Sequence, residues 1–502
     1  MQLKDFLSAL DIQKFHGDEA LEISSVVASS RQASSQSIFV AIPGSKADGH
    51  DYLDEAYRAG ARVFVTRKPF DMPGATTIVV PDTRAALAAL TAQLYSRPSQ
   101  AMKLIGITGT NGKTTTAYLL EAIIKEAGFS AGLLSTIAYR FSSLSREAER
   151  TTPDQLDLQR MLREMADAGT EYVVMEVSSH GLKQRRVDGC HFDAGIFTNL
   201  TPEHLDYHVT MEDYYQSKER FFTEVLPGSS KKNAAAIINQ DDPRGLLLLQ
   251  RAQCRKVSYG LERGDIHAGG VSLSLEGITA DVVTPAGTMT ISSKLIGIFN
   301  LYNILAAAAA AFSLELSAEK IKAGIEGMGS VPGRMERIEN KKGILTFVDF
   351  AHTGDALNNV LSTLKKTGAS RIITIFGCGG DRDRQKRPVM GSIAAAYSAA
   401  VIITSDNPRS ERPELIIREI EAGVIAKGFS RAAGPEGCRG KEKVYLVVPD
   451  RKAAIQKGIA MAGPGDVVLI AGKGHETYQE TGSEKKHFDD REEAHLALKL
   501  CA

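Results

Sequence analysis

Five short apolar runs, each followed by a helical pattern, constrain the last third of this 502-residue chain more than any other feature of the sequence. The runs occupy residues 344–348, 371–375, 400–404, 444–448 and 466–470. Continuous apolar runs of this length are typical of strands buried on both faces, and helices between them are the crossovers of a parallel sheet. We therefore predict a doubly wound α/β domain over residues 336–502.

Polar residues follow all five runs, at the positions where the strands should end. These stretches are residues 349–352, 377–382, 406–409, 450–451 and 472–476. Because ligands of an open parallel sheet bind beyond the carboxyl ends of its strands, we expect a site along this edge. Arg382 and Arg409 offer guanidinium groups to carboxylates, and Glu476 offers a carboxylate to an ammonium group. These charges match a diamino dicarboxylic acid, whereas lysine lacks the second carboxylate.

A phosphate-binding loop is predicted in the middle of the chain. A strand pattern at residues 103–108 leads into Gly-Thr-Asn-Gly-Lys-Thr at 109–114, and a helical pattern follows as far as Gly128. Glycines let backbone N–H groups approach phosphate, the helix N-terminus favours negative charge, and Lys113 would reach the β- and γ-phosphates. Thr114 would offer its hydroxyl to Mg²⁺. Ile107 stands where the standard pattern has its first glycine, but the strand–loop–helix context still predicts ATP binding.

Two further strand patterns deliver candidate residues. The apolar run 172–175 ends at Glu176, a carboxylate placed to act as a second magnesium ligand. The run 194–198 leads to His204 and His208, which are four residues apart with Asp206 between them. Alone, such a pair is more typical of surface histidines at the start of a helix. Its place beside a phosphate loop favours a functional role for His204.

The remaining patterns indicate three α/β domains. Residues 1–98 alternate β-rich runs at 37–42, 61–66 and 77–80 with helical patterns, which predicts a small first domain. Residues 95–100 look like a linker. Residues 99–335 form the predicted central ATP-binding domain, with β-hairpins inserted between residues 265 and 295, and residues 336–502 form the C-terminal domain.

Composition and charge argue against several other classes of protein. Sixty basic and sixty acidic residues cancel, so nothing indicates a nucleic-acid partner. No stretch of about 18 apolar residues predicts a membrane span, and the N-terminus lacks the apolar region of a secretion signal. The five cysteines are scattered without a Cys-x-x-Cys pair, which favours reduced thiols. We predict a cytoplasmic protein and expect a monomer.

Taken together, the motifs resemble those of the Mur ligase family over nearly the whole chain. The resemblance rests on the loop at 109–114, Thr-Thr-Pro at 151–153, Glu-Val-Ser-Ser-His at 176–180, His-Leu-Asp-Tyr-His at 204–208, Asp-Phe-Ala-His-Thr at 349–353, Asp-Asn-Pro-Arg at 406–409 and Gly-Lys-Gly-His-Glu at 472–476. It implies a nucleotide-sugar domain, a central ATPase domain and a C-terminal Rossmann-like domain. It also implies an ATP-dependent ligase of peptidoglycan precursor synthesis, which adds meso-2,6-diaminopimelate to UDP-MurNAc-L-Ala-D-Glu through an acyl phosphate.

The resemblance assigns residues to each substrate. For ATP it implies Gly109, Thr110, Asn111, Gly112, Lys113, Thr114, Thr115, Asn300, Asn303, Arg334 and Asp349. For the UDP-linked dipeptide it implies Ser30, Ser45, Lys46, Ala47, Thr151, Thr152, Ser178, Gln184 and Arg186. For diaminopimelate it implies Arg382, Asp406, Asn407, Pro408, Arg409, Gly472 and Glu476.

The resemblance also implies a catalytic group and two magnesium ions. The catalytic residues would be Lys113, Lys218, His204 and Glu176, and the metal ligands would be Thr114, Glu176, His204 and Lys218. Lys218 would act as a carbamate, N6-carboxylysine, although its pattern alone is that of a solvated helical lysine. Carbamylation requires a neutral amine, which partial burial provides by lowering the pKa of lysine. Gly354 departs from the family, which often has proline there.

Three alternatives stay open from the sequence. A sister ligase that adds L-lysine would have no use for Arg409, and folylpolyglutamate synthase would have no use for the first 98 residues. A regulatory P-loop ATPase that binds a partner without forming a bond would not need the polar edge at residues 349–476. Phosphate release that depends on both the UDP-dipeptide and the amino acid distinguishes a ligase from such an ATPase.

Overall fold

The computed structural model describes residues 1–44, 47–438 and 442–500, so the predicted site residues Ser45 and Lys46 lie outside the described residues. The chain forms two compact units. The first comprises Met1–Gly269, Val282–Met289 and Tyr302–Ile325, and the second comprises Gly270–Asp281, Thr290–Leu301 and Glu326–Ala502. Within the described ranges, no helix has both the length and the apolar character needed to cross a bilayer.

The first unit begins with a five-stranded sheet. Its strands are β1 (Lys14–His16), β2 (Ser25–Val27), β3 (Ser37–Val40), β4 (Val63–Thr66) and β5 (Thr76–Val79), in the order β1-β5-β4-β3-β2. Strand β1 is antiparallel to β5, and the other pairs are parallel. The helices are α1 (Lys4–Leu7), α2 (Leu53–Arg58) and α3 (Thr83–Leu94), with 3₁₀ turns at Ser30–Gln32 and Gly49–Tyr52. The predicted runs at 37–42, 61–66 and 77–80 are confirmed as β3, β4 and β5.

The predicted linker at residues 95–100 is a packed turn. Ser96 and Arg97 have φ angles of 59° and 48°, and a 3₁₀ turn follows at Pro98–Gln100. The Ser99 side chain is fully buried, and its hydroxyl accepts a hydrogen bond of 3.0 Å from the backbone N–H of His191. Because buried polar groups need partners, this contact ties the turn to the central segment of the same unit.

A second sheet forms the middle of the first unit. Its strands are β6 (Lys103–Thr108), β7 (Ala131–Leu134), β8 (Ala138–Phe141), β9 (Leu144–Glu147), β10 (Tyr172–Glu176), β11 (Ala194–Phe197), β12 (Ala235–Asn239) and β13 (Arg255–Gly260), in the order β13-β12-β11-β6-β10-β7-β8-β9. The strands from β13 to β7 in this order are parallel, and β8 and β9 form an antiparallel edge. Because β6 lies between β11 and β10, the segments that follow these three strands emerge at one edge of the sheet.

Helices cover this sheet, and glycines in two strands let aromatic side chains come close to it. The helices are α4 (Lys113–Glu126), α5 (Gln155–Asp167), α6 (Ser179–Lys183), α7 (Leu205–His208), α8 (Met211–Arg220) and α9 (Pro243–Arg251), and a π-helical turn at Phe221–Val225 follows α8. A Cβ at Gly106 in β6 would lie 2.5 Å from the Phe221 ring, and a Cβ at Gly195 in β11 would lie 2.8 Å from it. The two glycines therefore allow the end of α8 to pack directly on the sheet.

Three strands confirm the predicted hairpin region. They are β14 (Ile266–Ser274), β15 (Gly277–Thr284) and β16 (Gly287–Ser293), and they extend the order of the second sheet beyond β13. The helices α10 (Ile298–Ser313) and α11 (Ala318–Gly327) follow. The alanine run at residues 306–311 in α10 is buried throughout, which small side chains permit because they let neighbouring elements approach closely.

The second unit contains the doubly wound sheet predicted from the five apolar runs. Its strands are β17 (Glu336–Ile338), β18 (Leu345–Asp349), β19 (Ile372–Phe376), β20 (Ala400–Ile403), β21 (Ser430–Arg431), β22 (Val444–Val447) and β23 (Val467–Ala471), in the order β17-β18-β23-β19-β20-β22-β21. All pairs are parallel except β17 with β18. The remaining elements are the hairpin of β24 (Tyr478–Thr481) and β25 (Glu484–His487), and the helices α12 (Gly354–Lys366), α13 (Lys386–Tyr397), α14 (Pro413–Ile425), α15 (Arg451–Ala460) and α16 (Asp490–Leu500).

Helices cover both faces of this sheet. On one face, Phe347 and Leu469 pack in a core with apolar residues of α12, α13 and α14. On the other face, Val348 and Ile470 pack in a second core with α15 and α16. Neighbouring residues of one strand enter different cores because successive side chains point to opposite faces. The predicted doubly wound architecture is therefore confirmed.

The polar residues that follow β22 have partners within the protein. Asp450 caps α15 by accepting a hydrogen bond of 2.7 Å from the backbone N–H of Ala453. Arg451 is fully buried and donates two hydrogen bonds of 2.7 Å to the carboxylate of Asp490 on α16. The polar character of residues 450–451 at the sheet edge thus has a structural explanation.

We expect the substitution Asp490→Ala to destabilise the second unit by about 3–5 kcal/mol, because it leaves the buried guanidinium of Arg451 without its counter-charge. The matched control is Lys452→Ala, which removes an exposed ion pair of 3.2 Å with Glu493 between the same two helices. The control should cost about 0–1 kcal/mol. Urea unfolding followed by circular dichroism measures both, and equal midpoints for the two variants would contradict the prediction.

Candidate active site

The loop between β6 and α4 is shaped by two glycines with positive φ angles. Gly109 has a φ of 145° and Gly112 a φ of 88°. A Cβ at Gly109 would overlap with the hydroxyl of Thr198, and a Cβ at Gly112 would overlap with the side-chain oxygen of Asn303. Glycine alone combines these backbone angles with such close neighbours, so both positions set the shape of the loop.

The segment after β11 holds this loop from one side. The hydroxyl of Thr198 donates a hydrogen bond of 2.6 Å to the backbone oxygen of Asn111, and the side-chain oxygen of Asn199 accepts one of 2.9 Å from the Asn111 N–H. The backbone oxygen of Asn199 accepts another from the N–H of Thr110, at 2.8 Å. The predicted residues Thr110 and Asn111 are therefore held by Thr198 and Asn199, which the sequence prediction did not include.

Two lysine amines converge on one backbone oxygen of the loop. Lys113 begins α4, and its amine donates hydrogen bonds to the oxygens of Gly109 at 2.9 Å and Thr110 at 2.8 Å. The amine of Lys218, on α8, donates to the same Gly109 oxygen at 2.9 Å. The structure therefore brings together two predicted catalytic residues that are far apart in the sequence.

The environment of Lys218 favours its neutral form. The side chain is 1% exposed, and its amine lies 4.5 Å from the centre of the Tyr214 ring. Burial, followed by repulsion from Lys113, lowers the pKa of Lys218 well below its ordinary value. The neutral amine is the form that reacts with CO₂, so the predicted site of carbamylation has the required environment.

His204 lies in a cluster of rings with His180, Tyr207 and His208. The His180 ring is centred 4.9 Å from that of His204 and 5.4 Å from that of His208, and it stacks on Tyr207 at 4.1 Å. Burial lowers the pKa of His180 and of His208 to about 4, and it also lowers the pKa of His204. These imidazoles are therefore neutral at neutral pH. His180 and His208 were not among the predicted site residues, although both belong to motifs that the sequence shows.

Glu176 ends β10 in a fully buried position. Its carboxylate accepts hydrogen bonds from the backbone N–H of Thr136 at 2.9 Å and from the hydroxyl of Thr136 at 3.0 Å. The hydroxyls of Thr136 and Thr151 lie 3.1 Å apart. Thr136 therefore connects the predicted metal ligand Glu176 to the predicted dipeptide residue Thr151.

The predicted metal ligands are Thr114, Glu176, His204 and Lys218. Among the residues that the structure describes, no group of three or more His, Cys, Asp and Glu side chains is arranged to hold a metal ion. Thr114 is buried in the first turn of α4, directly after Lys113. The predicted set contains one carboxylate, and a carbamate on Lys218 would supply a second.

Four residues predicted for the UDP-dipeptide form one hydrogen-bonded network. The backbone N–H of Ser178 donates to the hydroxyl of Thr152 at 2.9 Å. The guanidinium of Arg186 donates to the backbone oxygen of Thr152 at 2.8 Å and to the side-chain oxygen of Gln184 at 2.7 Å. The amide nitrogen of Gln184 donates to the hydroxyl of Tyr207 at 3.1 Å, which joins the network to the ring cluster around His204.

The predicted residues of the first sheet belong to a different cluster. The hydroxyl of Ser30 is buried and donates a hydrogen bond of 3.0 Å to the carboxylate of Glu55 on α2. Ala47 is exposed in the loop after β3, next to the undescribed Ser45 and Lys46. The structure therefore gives Ser30 a defined partner and leaves the role of residues 45–47 as a prediction.

Three predicted ATP residues lie in the second unit. The buried carboxylate of Asp349 accepts hydrogen bonds of 2.7 and 2.8 Å from two backbone N–H groups, and burial raises its pKa. The guanidinium of Arg334 lies 4.8 Å from the centre of the Phe350 ring, and its Nε has no hydrogen-bond partner among the described atoms. The side-chain nitrogen of Asn300 donates to the backbone oxygen of Ile296 at 2.9 Å.

The loops after β19 and β20 carry the two arginines predicted for the amino acid. The guanidinium of Arg409 donates a hydrogen bond of 2.7 Å to the backbone oxygen of Gly380, and the N–H of Gly380 donates to the backbone oxygen of Asn407 at 2.9 Å. A Cβ at Gly380 would overlap with the backbone oxygen of Pro408, so the loops approach closely because residue 380 is glycine. Arg382 is exposed on the first of these loops.

A buried lysine joins the loops after β20 and β23. Lys473 is fully buried, and its amine donates to the side-chain oxygen of Asn407 at 3.1 Å and to the carboxylate of Glu476 at 2.9 Å. The sequence prediction had Glu476 holding an ammonium group of the substrate, but the structure gives this carboxylate an ammonium partner within the protein. A Cβ at Gly472 would lie 2.7 Å from the carboxylate of Asp406, so these predicted residues are also neighbours.

We expect Gly112→Ala to lower the affinity for ATP at least tenfold, or by about 1.4 kcal/mol, because the new Cβ displaces Asn303 from the loop. Gly128→Ala is the matched control, since Gly128 follows the end of α4, has the same φ of 88° and has open space around it. Both variants carry the penalty of about 1–2 kcal/mol for a left-handed backbone. Equilibrium binding of a fluorescent ATP analogue should show the loss in Gly112→Ala alone, and equal affinities would contradict the role of the loop.

The sequence matches the family models of three Mur ligase domains. They are the Mur ligase family, catalytic domain at residues 22–95, the Mur ligase middle domain at residues 107–311, and the Mur ligase, glutamate ligase domain at residues 333–474. The predicted fold class of three α/β domains is confirmed, while the boundaries at residues 98 and 335 stay predictions.

Several full-length relatives carry one name. The UDP-N-acetylmuramoyl-L-alanyl-D-glutamate--2,6-diaminopimelate ligase of Geobacter metallireducens is 48% identical, over 99% of this chain and 98% of that protein. The ligase of the same name from Geobacillus thermodenitrificans is 40% identical, over 99% of both chains. A solved structure of a protein with this name matches with a TM-score of 0.72 and 30% identity, over 99% of both chains. The chain therefore belongs to the Mur ligase family and is an ATP-dependent ligase.

Proposed function

We propose that this chain joins 2,6-diaminopimelate to UDP-N-acetylmuramoyl-L-alanyl-D-glutamate at the expense of ATP. The observation that carries the proposal is the 48% identity, over nearly the whole of both chains, to a ligase named for these substrates. The sheet edge of the second unit supports it, because Arg409 and Arg382 lie there on adjacent loops. The meso isomer, expected from the resemblance, is part of the proposal.

The reaction needs ATP because a carboxylate is a poor electrophile at neutral pH. Transfer of the γ-phosphoryl group of ATP to the D-glutamate γ-carboxylate forms an acyl phosphate and releases ADP. The amine of diaminopimelate then attacks the acyl carbon, phosphate leaves, and the amine loses a proton. Two anions must first approach each other, so cations in the site stabilise the reaction. We assign the β- and γ-phosphates to Lys113, because it begins α4 and the N-terminus of a helix favours negative charge.

We assign the two magnesium ions that the family implies to residues around the loop. Mg²⁺ prefers oxygen ligands, and Thr114, Glu176 and a carbamate on Lys218 would provide them, with His204 as a neutral imidazole. When bound, Mg²⁺ neutralises negative charge on the phosphates. The burial of Lys218, which lowers the pKa of its amine, supports this assignment because carbamylation would turn a group that already contacts the loop into an anion.

We assign the two organic substrates to separate surfaces. We assign the network of Thr152, Ser178, Gln184 and Arg186, with neighbouring Thr151, to the UDP-linked dipeptide, because it is connected through Tyr207 to the ring cluster beside the phosphate loop. Ser30 and residues 45–47 of the first sheet would bind the nucleotide end. Diaminopimelate would bind at the edge formed by residues 382, 406–409, 472 and 476.

The expected compartment and oligomeric state also belong to the proposal. Cys190, Cys254 and Cys378 are free thiols, which supports a reducing compartment such as the cytoplasm. Cys501 lies outside the described residues. We retain the expectation that the ligase acts as a monomer.

Phosphate release with substrates omitted one at a time tests the proposed function. The ligase should release phosphate at its full rate only with ATP, the UDP-dipeptide and meso-diaminopimelate together. Replacing diaminopimelate with lysine should slow the reaction strongly, which also tests the lysine-adding alternative. Equal phosphate release without the dipeptide or the amino acid would overturn the proposal in favour of a regulatory ATPase.

We expect Lys218→Ala to retain about 1% of the activity or less, because electrostatic groups of this kind contribute roughly a hundredfold or more to turnover. Added formate or acetate should restore part of the activity by replacing the carbamate in the space that the side chain leaves. Lys125→Ala, on the exposed face of α4, is the control and should be active without rescue. A fully active Lys218→Ala would rule out the carbamate role.

We expect Arg409→Ala to lower the ratio of kcat/KM for diaminopimelate to that for lysine by at least tenfold, because a lost partner of a paired charge costs about 2–5 kcal/mol. The affinity for ATP should be unchanged. Arg412→Ala removes a strongly exposed guanidinium three residues later and should keep the ratio of the wild type. An unchanged ratio in Arg409→Ala would remove Arg409 from the selection of the amino acid.

A further inference from the structure

Arg387 carries a charge in the interior of the second unit. It lies on α13, and its side chain is 0% exposed to solvent. It is not among the residues assigned to any substrate above. A charge in such a position is costly unless it is paired, so its partners show what the charge holds together.

The guanidinium of Arg387 has two branches of partners. It donates hydrogen bonds of 2.7 and 2.9 Å to both carboxylate oxygens of Glu411, which lies on the loop after β20. It donates another of 2.8 Å to the carboxylate of Glu419, which lies within α14. The bonds from Arg387 lower the pKa of Glu411 to about 2, so the pair stays ionised throughout the neutral range.

The Glu411 branch extends into the loop that carries Arg382. The carboxylate of Glu411 also accepts a hydrogen bond of 2.7 Å from the backbone N–H of Asp381. The carboxylate of Asp381 in turn accepts bonds of 3.1 and 2.6 Å from the N–H and hydroxyl of Ser410. The residues next to Arg382 and next to Arg409 are therefore bonded to each other, and Glu411 connects Asp381 to the buried guanidinium of Arg387.

We propose that Arg387 is a positioning residue for the amino-acid substrate: through Glu411 it sets the spacing of Arg382 and Arg409 and so favours an amino acid with a distal carboxylate. This inference rests on the proposed function. The two arginines must match carboxylates at a fixed separation, and a displacement of about 1 Å in such an arrangement costs up to roughly a hundredfold in rate. The role of Arg387 is indirect, because its own side chain faces protein carboxylates.

Substituting Glu411 and Glu419 separately distinguishes this positioning role from simple stabilisation of the fold. Glu411→Gln removes the charge that connects Arg387 to the two loops. Glu419→Gln removes a charge from the same guanidinium on the side of α14. The side chains are similarly exposed, at 22% and 27%, so the two substitutions are matched in chemistry and burial. If Arg387 only stabilised the packing of helices, the two substitutions would change the kinetics equally.

Steady-state kinetics of the full chain with ATP, the UDP-dipeptide and diaminopimelate provide the test. Glu411→Gln should raise the KM for diaminopimelate about tenfold and lower its preference over lysine, with the KM for ATP within about twofold of the wild type. Glu419→Gln should keep every KM within about twofold of the wild type. Its melting temperature should fall by about as much as that of Glu411→Gln. Arg387→Lys, which keeps the charge but not the bidentate pairing, should behave like Glu411→Gln.

Two results would overturn the inference. Equal KM values for diaminopimelate in Glu411→Gln and Glu419→Gln, with a wild type that ligates normally, would make Arg387 a structural residue and leave the proposed function intact. A wild type that forms no product with diaminopimelate would overturn the proposed function and this inference with it.

Discussion

The backbone oxygen of Gly109 is the point on which the site of the first unit depends. The amines of Lys113 and Lys218 both donate hydrogen bonds to it. Two amines that share one acceptor away from solvent repel each other, and the more deeply buried of them, Lys218, has the lowered pKa. The result is that the neutral form of the Lys218 amine is favoured, and this is the form that carbamylation requires. The loop can bring its carbonyl to this position because Gly109 adopts a φ of 145°.

Parallel strand order explains how distant motifs reach the same place. In the first unit, β6 lies between β10 and β11, so the loop at 109–112, Glu176 and the segment leading to His204 follow adjacent strands. In the second unit, β19 lies between β23 and β20, so the segments with Arg382, Arg409 and Glu476 also follow adjacent strands. Each unit thus gathers polar residues at the carboxyl edge of a sheet whose interior is almost entirely apolar.

The fold and many of the candidate residues could be predicted because apolar runs and glycine turns mark where strands end. The strand β17 was missed because it has only three residues, of which two are charged. Lys473 and Arg387 were missed because a lysine in a loop and an arginine on a helix are solvated in most proteins. Their burial follows from tertiary contacts with Glu476 and Glu411, which no local pattern shows. The contacts of Gly109 with Thr198 and of Gly112 with Asn303 could not be predicted for the same reason.

In the proposed reaction, ATP activates a carboxylate, which diaminopimelate then captures. The most direct measurement uses UDP-dipeptide labelled with ¹⁸O in the γ-carboxylate of D-glutamate and follows the isotope in the phosphate released during ligation. If an acyl phosphate forms, one carboxylate oxygen leaves with the phosphate, so mass spectrometry should find one ¹⁸O in each phosphate formed from fully labelled substrate. Product that forms with phosphate free of ¹⁸O would contradict an acyl-phosphate intermediate.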